Sequence, residues 1–324
     1  MKRIKGSASL LIIAVLIVIF VYVVMSQLVL NENSGERAKH VSLIVYGDDS
    51  ERWENLRQGA ELVCKDKNAD LRIMTMLSEN DVAEQEDIID REIEDGADAL
   101  IIAACNSDMI RDFITQKNLG IPVIFVESIL SEGDGLKYIA PDDYNMGFEL
   151  GEHILKNESD IVTVAVISEN TGRDSVKLRE QGLRDAIDGK VGRIINWRRN
   201  EYEKEAKTRM FIQRALVSEA TDVIVTFDNT ATDALLDALA NLNHQSKVYS
   251  VSTSNKSVYA LNNGDVKALD YSNEFSMGYL AAMHALDESY AKKKYSKEAV
   301  DHRIVRKENM YDEDNQRLLF PFVN

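Results

Sequence analysis

The chain has 324 residues, with 38 Lys+Arg against 54 Asp+Glu, a formal charge of −16. That balance argues against a nucleic-acid partner, which needs a basic face to displace counterions from phosphate, and against adsorption on anionic lipid through surface charge. Apolar residues at 45% and charged residues at 28% are ordinary for a globular protein, and three prolines with no low-complexity tract argue against extended disorder. Two cysteines, Cys64 and Cys105, are too few for a disulfide framework. With no CxxC or Cys/His cluster, no metal site is expected, and at roughly 100–150 residues per domain the length suggests two domains.

Residues 6–30 contain no charge, and their core, 10–25, reads LLIIAVLIVIFVYVVM. A membrane-spanning helix needs about 20 apolar residues. A cleaved export signal, the alternative, has an apolar core of about 7–15 residues and then small residues in an A-x-A pattern. This run is longer and ends in SQLVLNENS, and no cysteine follows to carry a lipid. Lys2, Arg3 and Lys5 precede it, which orients the N-terminus to the cytoplasm. The expectation is a single-pass anchor over 1–30, a polar tether over 31–39, and an extracytoplasmic main part.

From residue 41 strands and helices alternate. VSLIVYG (41–47) suits a buried parallel strand. Over 51–66, Trp53, Leu56, Ala60 and Val63 form a helical stripe. Strands follow at 71–77, 97–104 and 121–127, with helices at 81–95 and 108–117, the latter capped by Gly120. A second set has helices at 142–157, 175–187, 201–219 and 230–242, and strands at 161–168, 193–197, 222–227 and 247–253. Two βα arrays of similar order predict two α/β lobes rather than one sheet. Ligands in such sheets bind at the carboxyl ends of strands.

Five stretches together carry a resemblance: LRQGAELVCKDKNADLRIM (56–74), DREIEDGADALIIAACNSD (90–108), GIPVIFVES (120–128), YIAPDDYNMGFELGEHIL (138–155) and ALNNGDVKALDYSNEFSMGYLAAMHAL (260–286). In order and spacing they resemble the type I periplasmic sugar-binding proteins. That group includes ribose-, xylose- and galactose-binding proteins and the effector domain of lactose-repressor-like regulators. The resemblance spans roughly 39–306. It implies two Rossmann-like lobes with parallel sheets, joined by a three-crossing hinge near Asp142, Asn273 and Arg303, with ligand held in the cleft. Lobe 1 is then 40–141 plus 273–302, and lobe 2 is 142–272 plus 303–324.

Sugar recognition needs a flat aromatic face for the C–H side of the ring and planar polar groups for pairs of hydroxyls. The resemblance puts Arg52 and Trp53 where the family's stacking aromatics sit, although Trp53 also fits a core stripe. Glu127 and Ser128 stand where members carry an Asp-Arg pair. The family's ligand arginine falls near Lys177, with Arg173 as a nearby alternative. Asp228 and Asn229 match its Asn-Asp turn, and an acid there can also serve only as a helix N-cap. Asn106 ends the third strand as a further ligand candidate. Ser252 and Ser272 replace longer polar residues of the family, so the pocket differs from that of ribose-binding protein.

No GxGxxG, P-loop, HExxH or GxSxG is present, and the five histidines have no metal-ligand spacing, so neither an enzyme nor a cofactor is expected. A repressor-like regulator would need a helix-turn-helix where the apolar run stands. The reading is an extracytoplasmic binder of a small carbohydrate, a monosaccharide, serving a membrane-embedded sensor kinase or ABC permease. A non-sugar metabolite or quorum-type signal on the same fold is the alternative.

Overall fold

The computed structural model describes residues 19–21, 37–47, 51–128, 136–161, 163–198, 208–240, 242, 244–287, 289 and 297–320. Of the expected anchor only 19–21 are described, as helix, and the rest of that segment lies outside the described residues. Among the described residues no helix is long and apolar enough to cross a membrane. The chain divides into two compact units, Met1–Lys39 and His40–Asn324.

The second unit is built on two sheets. The first runs β2 (Ala69–Met74), β1 (Lys39–Ile44), β3 (Ala99–Ile102), β4 (Val123–Val126), β5 (Lys137–Ala140), β11 (Lys297–Ala299). The second runs β7 (Arg193–Trp197), β6 (Thr163–Ile167), β8 (Val223–Thr226), β9 (Lys247–Val251), β10 (Val266–Ser272), β12 (His302–Val305). The pairs β1–β3, β3–β4, β4–β5, β5–β11, β6–β7, β6–β8, β8–β9 and β9–β10 are parallel, and β10–β12 is antiparallel. ALII in β3, VIFV in β4, TVAVI in β6 and VIVT in β8 are buried at every position, as strands covered on both faces must be.

The chain passes between the sheets after β5, after β10, and between β11 and β12. The first two passages open helices α4 (Asp143–Asn157) and α9 (Glu274–Leu286). Asp142 and Asn273 cap them, accepting from the amides of Asn145 at 3.2 Å and Ser276 at 2.9 Å. Two expectations change. Helix α3 (Ser107–Lys117) is closed by Asn118 at φ 45°, not by Gly120, because asparagine tolerates the left-handed conformation. Of the helix expected over 201–219, α6 (Thr208–Ser218) is described, and 201–207 lie outside the described residues.

Each helix that follows a passage is pressed onto a neighbour through glycine. A Cβ on Gly278 of α9 would lie 1.9 Å from the Leu56 carbonyl oxygen of α1 (Glu54–Asp66), and one on Gly59 of α1 would lie 2.0 Å from that of Phe275. In the other half, a Cβ on Gly147 of α4 would lie 1.8 Å from the Arg179 carbonyl oxygen of α5 (Asp174–Ile187), and one on Gly182 of α5 would lie 2.0 Å from that of Tyr144. Backbone meets backbone at both crossings, which no larger residue permits.

The passages also hold a titratable pair. His302 at the start of β12 sits 3.0 Å from Asp270 of β10, through Nδ1 and Oδ1. Burial pulls the imidazole pKa down, but the bond to Asp270 and the charges of Asp270, Glu149 and Asp142 carry it above 6.5. Burial pushes Asp270 up as well, because desolvation costs its carboxylate more than His302 returns. A raised histidine stabilises fully below about pH 6.5, and that contribution disappears as pH rises through the folded-state value. His302→Gln is therefore expected to flatten the pH dependence of urea stability above pH 6.5; an unchanged slope would remove the pair as its source.

Candidate functional site

The carboxyl ends of β1, β2, β6, β8 and β9 converge on a cavity of about 660 Å³ between the two sheets. Tyr46, Arg52, Trp53 and Glu79 line it from the first sheet, and Arg173, Asn229, Thr230 and Thr253 from the second. Its size falls within the roughly 300–1,000 Å³ of small-molecule sites.

Ionic pairing organises the lining. Arg52 donates to Glu274 Oε1 at 2.6 Å and to Glu127 Oε1 at 3.1 Å, and lies 4.1 Å over the Trp53 ring. Tyr46 donates its hydroxyl to Glu127, and Trp53 donates Nε1 to the Tyr46 carbonyl at 3.1 Å. Arg173, 1% exposed, reaches across from the second sheet. It donates Nη2 to Glu79 at 2.9 Å and lies 4.2 Å over the Tyr46 ring and 3.8 Å from Asp228. The loop after β2 forms the other side of this bridge. Glu79 Oε1 accepts from Arg173, from Thr230 at 2.9 Å and from Asn170 at 3.4 Å, all three on the second sheet's side. Asn80 donates to Asn170 at 2.8 Å, and Ser128 to Ser175 at 3.0 Å.

Burial shifts these groups. It pushes Asp143 up to about 6 against the pull of Arg179, which donates Nε to it at 2.8 Å. Burial likewise raises Glu274. Glu127 falls below its ordinary value, since Arg52, Arg173 and Arg179 together overcome its desolvation. Its backbone is left-handed, φ 70°, a strained conformation that clusters at functional sites. Cys105 is a free thiol that burial pushes up to about 12, so it is no nucleophile at neutral pH.

Of the residues singled out in the sequence, the structure brings Arg52, Trp53, Glu127, Arg173 and Asp228 into one network. Trp53 is 1% exposed and its ring is overlaid by Arg52, so it stands in the core stripe and beneath the cavity together. Asp228 caps α7 (Asn229–Leu239) through the Ala231 amide at 2.8 Å while also facing Arg173. Ser252 is one step removed, donating to Asn229 Oδ1 at 2.9 Å. Asn106 caps α3 through the Met109 amide at 3.1 Å. Lys177 is 46% exposed, paired with Asp174 at 2.8 Å, and does not line the cavity.

Sequence reading missed Glu79 and Glu274. Tyr46 ends the first strand run, so the carboxyl-end rule already pointed at it. Glu79 lies in the loop LSEND after β2 and Glu274 opens α9; only the fold brings them to the cleft. Among the described residues no group of His, Cys, Asp and Glu suits a metal ion.

Solved structures match this architecture. A glucose-galactose binding protein, GanP, from Geobacillus stearothermophilus superposes with a TM-score of 0.75 at 16% identity, over 85% of this chain and 100% of that one. A carbohydrate transporter solute binding protein from Agrobacterium radiobacter, solved with D-arabinose, gives 0.77 at 17%, over 88% and 100%. The XylFII–LytSN complex gives 0.73 at 16%, over 84% and 99%. At these identities the likeness establishes the fold: two α/β lobes with mainly parallel sheets. No curated protein matches by sequence. The family described as "Periplasmic binding protein domain" matches residues 41–293, from β1 to just short of β11, and the chain accordingly belongs to that family of binding proteins and is not an enzyme.

Proposed function

We propose that the protein is an extracytoplasmic solute-binding protein that closes on a small carbohydrate and presents its closed state to a membrane partner, a sensor kinase or an ABC permease. The observation that carries this reading is the 660 Å³ polar cavity lined by both sheets. Hydrogen-bonding side chains from the two sides suit a ligand with hydroxyls on several faces. The glucose-galactose binding protein and the solute binding protein solved with D-arabinose, both of this fold, support the ligand class. The XylFII–LytSN assembly supports a protein partner. Differential contacts in the open and closed states would drive closure. The uncharged run over 6–30 behind Lys2, Arg3 and Lys5 supports a membrane tether, which favours a sensor over a freely diffusing carrier.

Thermal-shift screening of the full-length protein against mono- and disaccharides tests the reading. A tight ligand raises the midpoint by mass action. If no saccharide does so and an amino acid or another metabolite does, the carbohydrate assignment fails. At residue level, Asp228→Ala is expected to weaken binding by about 1–3 kcal/mol by removing a charged partner. It should also cost about 1 kcal/mol of stability through the lost cap. Asp228→Asn retains the cap and isolates the binding term. Unchanged affinity in both folded variants would remove Asp228 from the site.

A further inference from the structure

The cavity has a deep end and a mouth, and the two differ in chemistry. At the deep end the wall is polar. Among the described lining residues the aromatic ones are Tyr46 and Trp53, both buried, and a guanidinium covers each ring. Arg173 lies 4.2 Å over Tyr46, and Arg52 lies 4.1 Å over Trp53. Neither face is open to the C–H side of a sugar. Arg173 is buried and lines the cavity, and among the described residues its Nε has no hydrogen-bond partner. A buried donor left unmatched calls for an acceptor, which a ring or hydroxyl oxygen of a solute supplies.

The lining residues that solvent reaches mark the mouth, Leu77, Asn255 and Lys256 among them. Leu77 is 87% exposed. A leucine on a protein surface is ordinary, but this one is held on the wall of a ligand-sized cavity. Its amide donates to Glu84 Oε1 at 2.7 Å and that of Ser78 to Glu84 Oε2 at 3.2 Å, which pins the loop after β2 to α2 (Val82–Glu94). The Met76 amide, just before it, donates to the Gly47 carbonyl at 3.0 Å. Asn255 and Lys256, at the start of α8 (Asn255–Asn263), bring hydrogen-bonding groups to the same mouth. An apolar surface among such groups complements a sugar ring, which has a C–H face and hydroxyl edges.

Size points the same way. A hexose fills at most about 360 Å³, if each of its non-hydrogen atoms claims the roughly 30 Å³ that a water claims in the liquid. That leaves nearly half of the 660 Å³ cavity. Leu77 stands two residues from Glu79, the partner of Arg173, a distance of at most about 7 Å along the backbone, so one solute can reach both ends.

We propose that the solute is a disaccharide. Its inner ring lies at the deep end, with an oxygen accepting from Arg173 Nε. Its outer ring lies at the mouth, with its C–H face on Leu77. The proposal rests on the carbohydrate reading above and narrows it, in place of the monosaccharide expected from the sequence.

Calorimetric titration of the full-length protein tests this, with glucose, galactose, xylose and arabinose against maltose, cellobiose, lactose, melibiose, xylobiose and arabinobiose. One disaccharide is expected to bind about tenfold or more tighter than either of its component sugars, the worth of roughly 55 Å² of apolar surface. Leu77→Ser should reduce the affinity for that disaccharide by a larger factor than the affinity for its components. The side chain is exposed, so the substitution leaves folding intact. A monosaccharide binding as tightly as every disaccharide that contains it overturns the proposal and leaves the carbohydrate reading standing. Equal factors for the two sizes in Leu77→Ser overturn the outer subsite. Should no saccharide of either size bind, the carbohydrate reading fails and the proposal with it.

Discussion

Arg52→Met is expected to lower folding stability by about 3–5 kcal/mol at neutral pH, because it strands two buried carboxylates that share one cation. Glu127 and Glu274 both bond Arg52, and methionine offers neither of them a donor. The pH dependence identifies the cause. In the wild type, burial raises the Glu127 pKa but the guanidinium groups carry it below its ordinary 4.5. Its contribution is then present above about pH 4.5 and is lost as pH falls through the lower folded value. Without Arg52 the balance reverses and both carboxyls rise. A raised acid destabilises above its unfolded value and ceases to do so when protonated. The stability gap between variant and wild type should therefore narrow from pH 7 to about pH 4 in urea titrations. A constant gap would mean lost packing on Trp53 rather than stranded charge.

Gly147→Ala is the second large effect. The new methyl would meet the Arg179 carbonyl oxygen at 1.8 Å, and that oxygen is backbone, held in α5. Overpacking of this kind costs about 1–3 kcal/mol and occasionally more, and a backbone clash belongs at the upper end. The damage should reach the cleft, since Arg179 also donates to Asp143 and, at 2.9 Å, to the Phe227 carbonyl beside Asp228. Lower thermal stability together with weaker solute binding is the expected pair of results. Gly120→Ala is the control: nothing lies within 4 Å of its Cβ position, and the midpoint should stay unchanged or rise slightly. Equal behaviour of the two variants would mean that α4 and α5 can separate without cost.

These two sites also mark how far the sequence could be read. Gly59, Gly147 and Gly278 lie inside three of the five stretches that carried the resemblance, so part of what identified the fold is where helices touch backbone to backbone. The strands were legible because VIFV and VIVT have no polar face, which leaves burial on both sides as their only stable setting. Glu127 and Asp228 were legible as candidates because the carboxyl ends of strands in open α/β sheets open onto the crevice. Glu79 and Glu274 were not. Each lies in a polar stretch that reads as ordinary solvated chain, and each is buried among residues distant in sequence, Arg173 and Arg52 among them. Lys177 faces solvent rather than the cavity for a related reason. Two residues along one helix separate a side chain facing the core, Arg179, from one facing water, and alignment to a motif can slip by that amount.

The three donors gathered on Glu79 bear on kinetics. Under the proposed closure, Arg173, Thr230 and Asn170 would all have to release one carboxylate for the halves to part, and access for a solute would wait on that release. Stopped-flow traces should then reach a ceiling as solute concentration rises, with the plateau set by the opening step. Glu79→Gln, whose amide oxygen accepts more weakly than a carboxylate, should lift that ceiling.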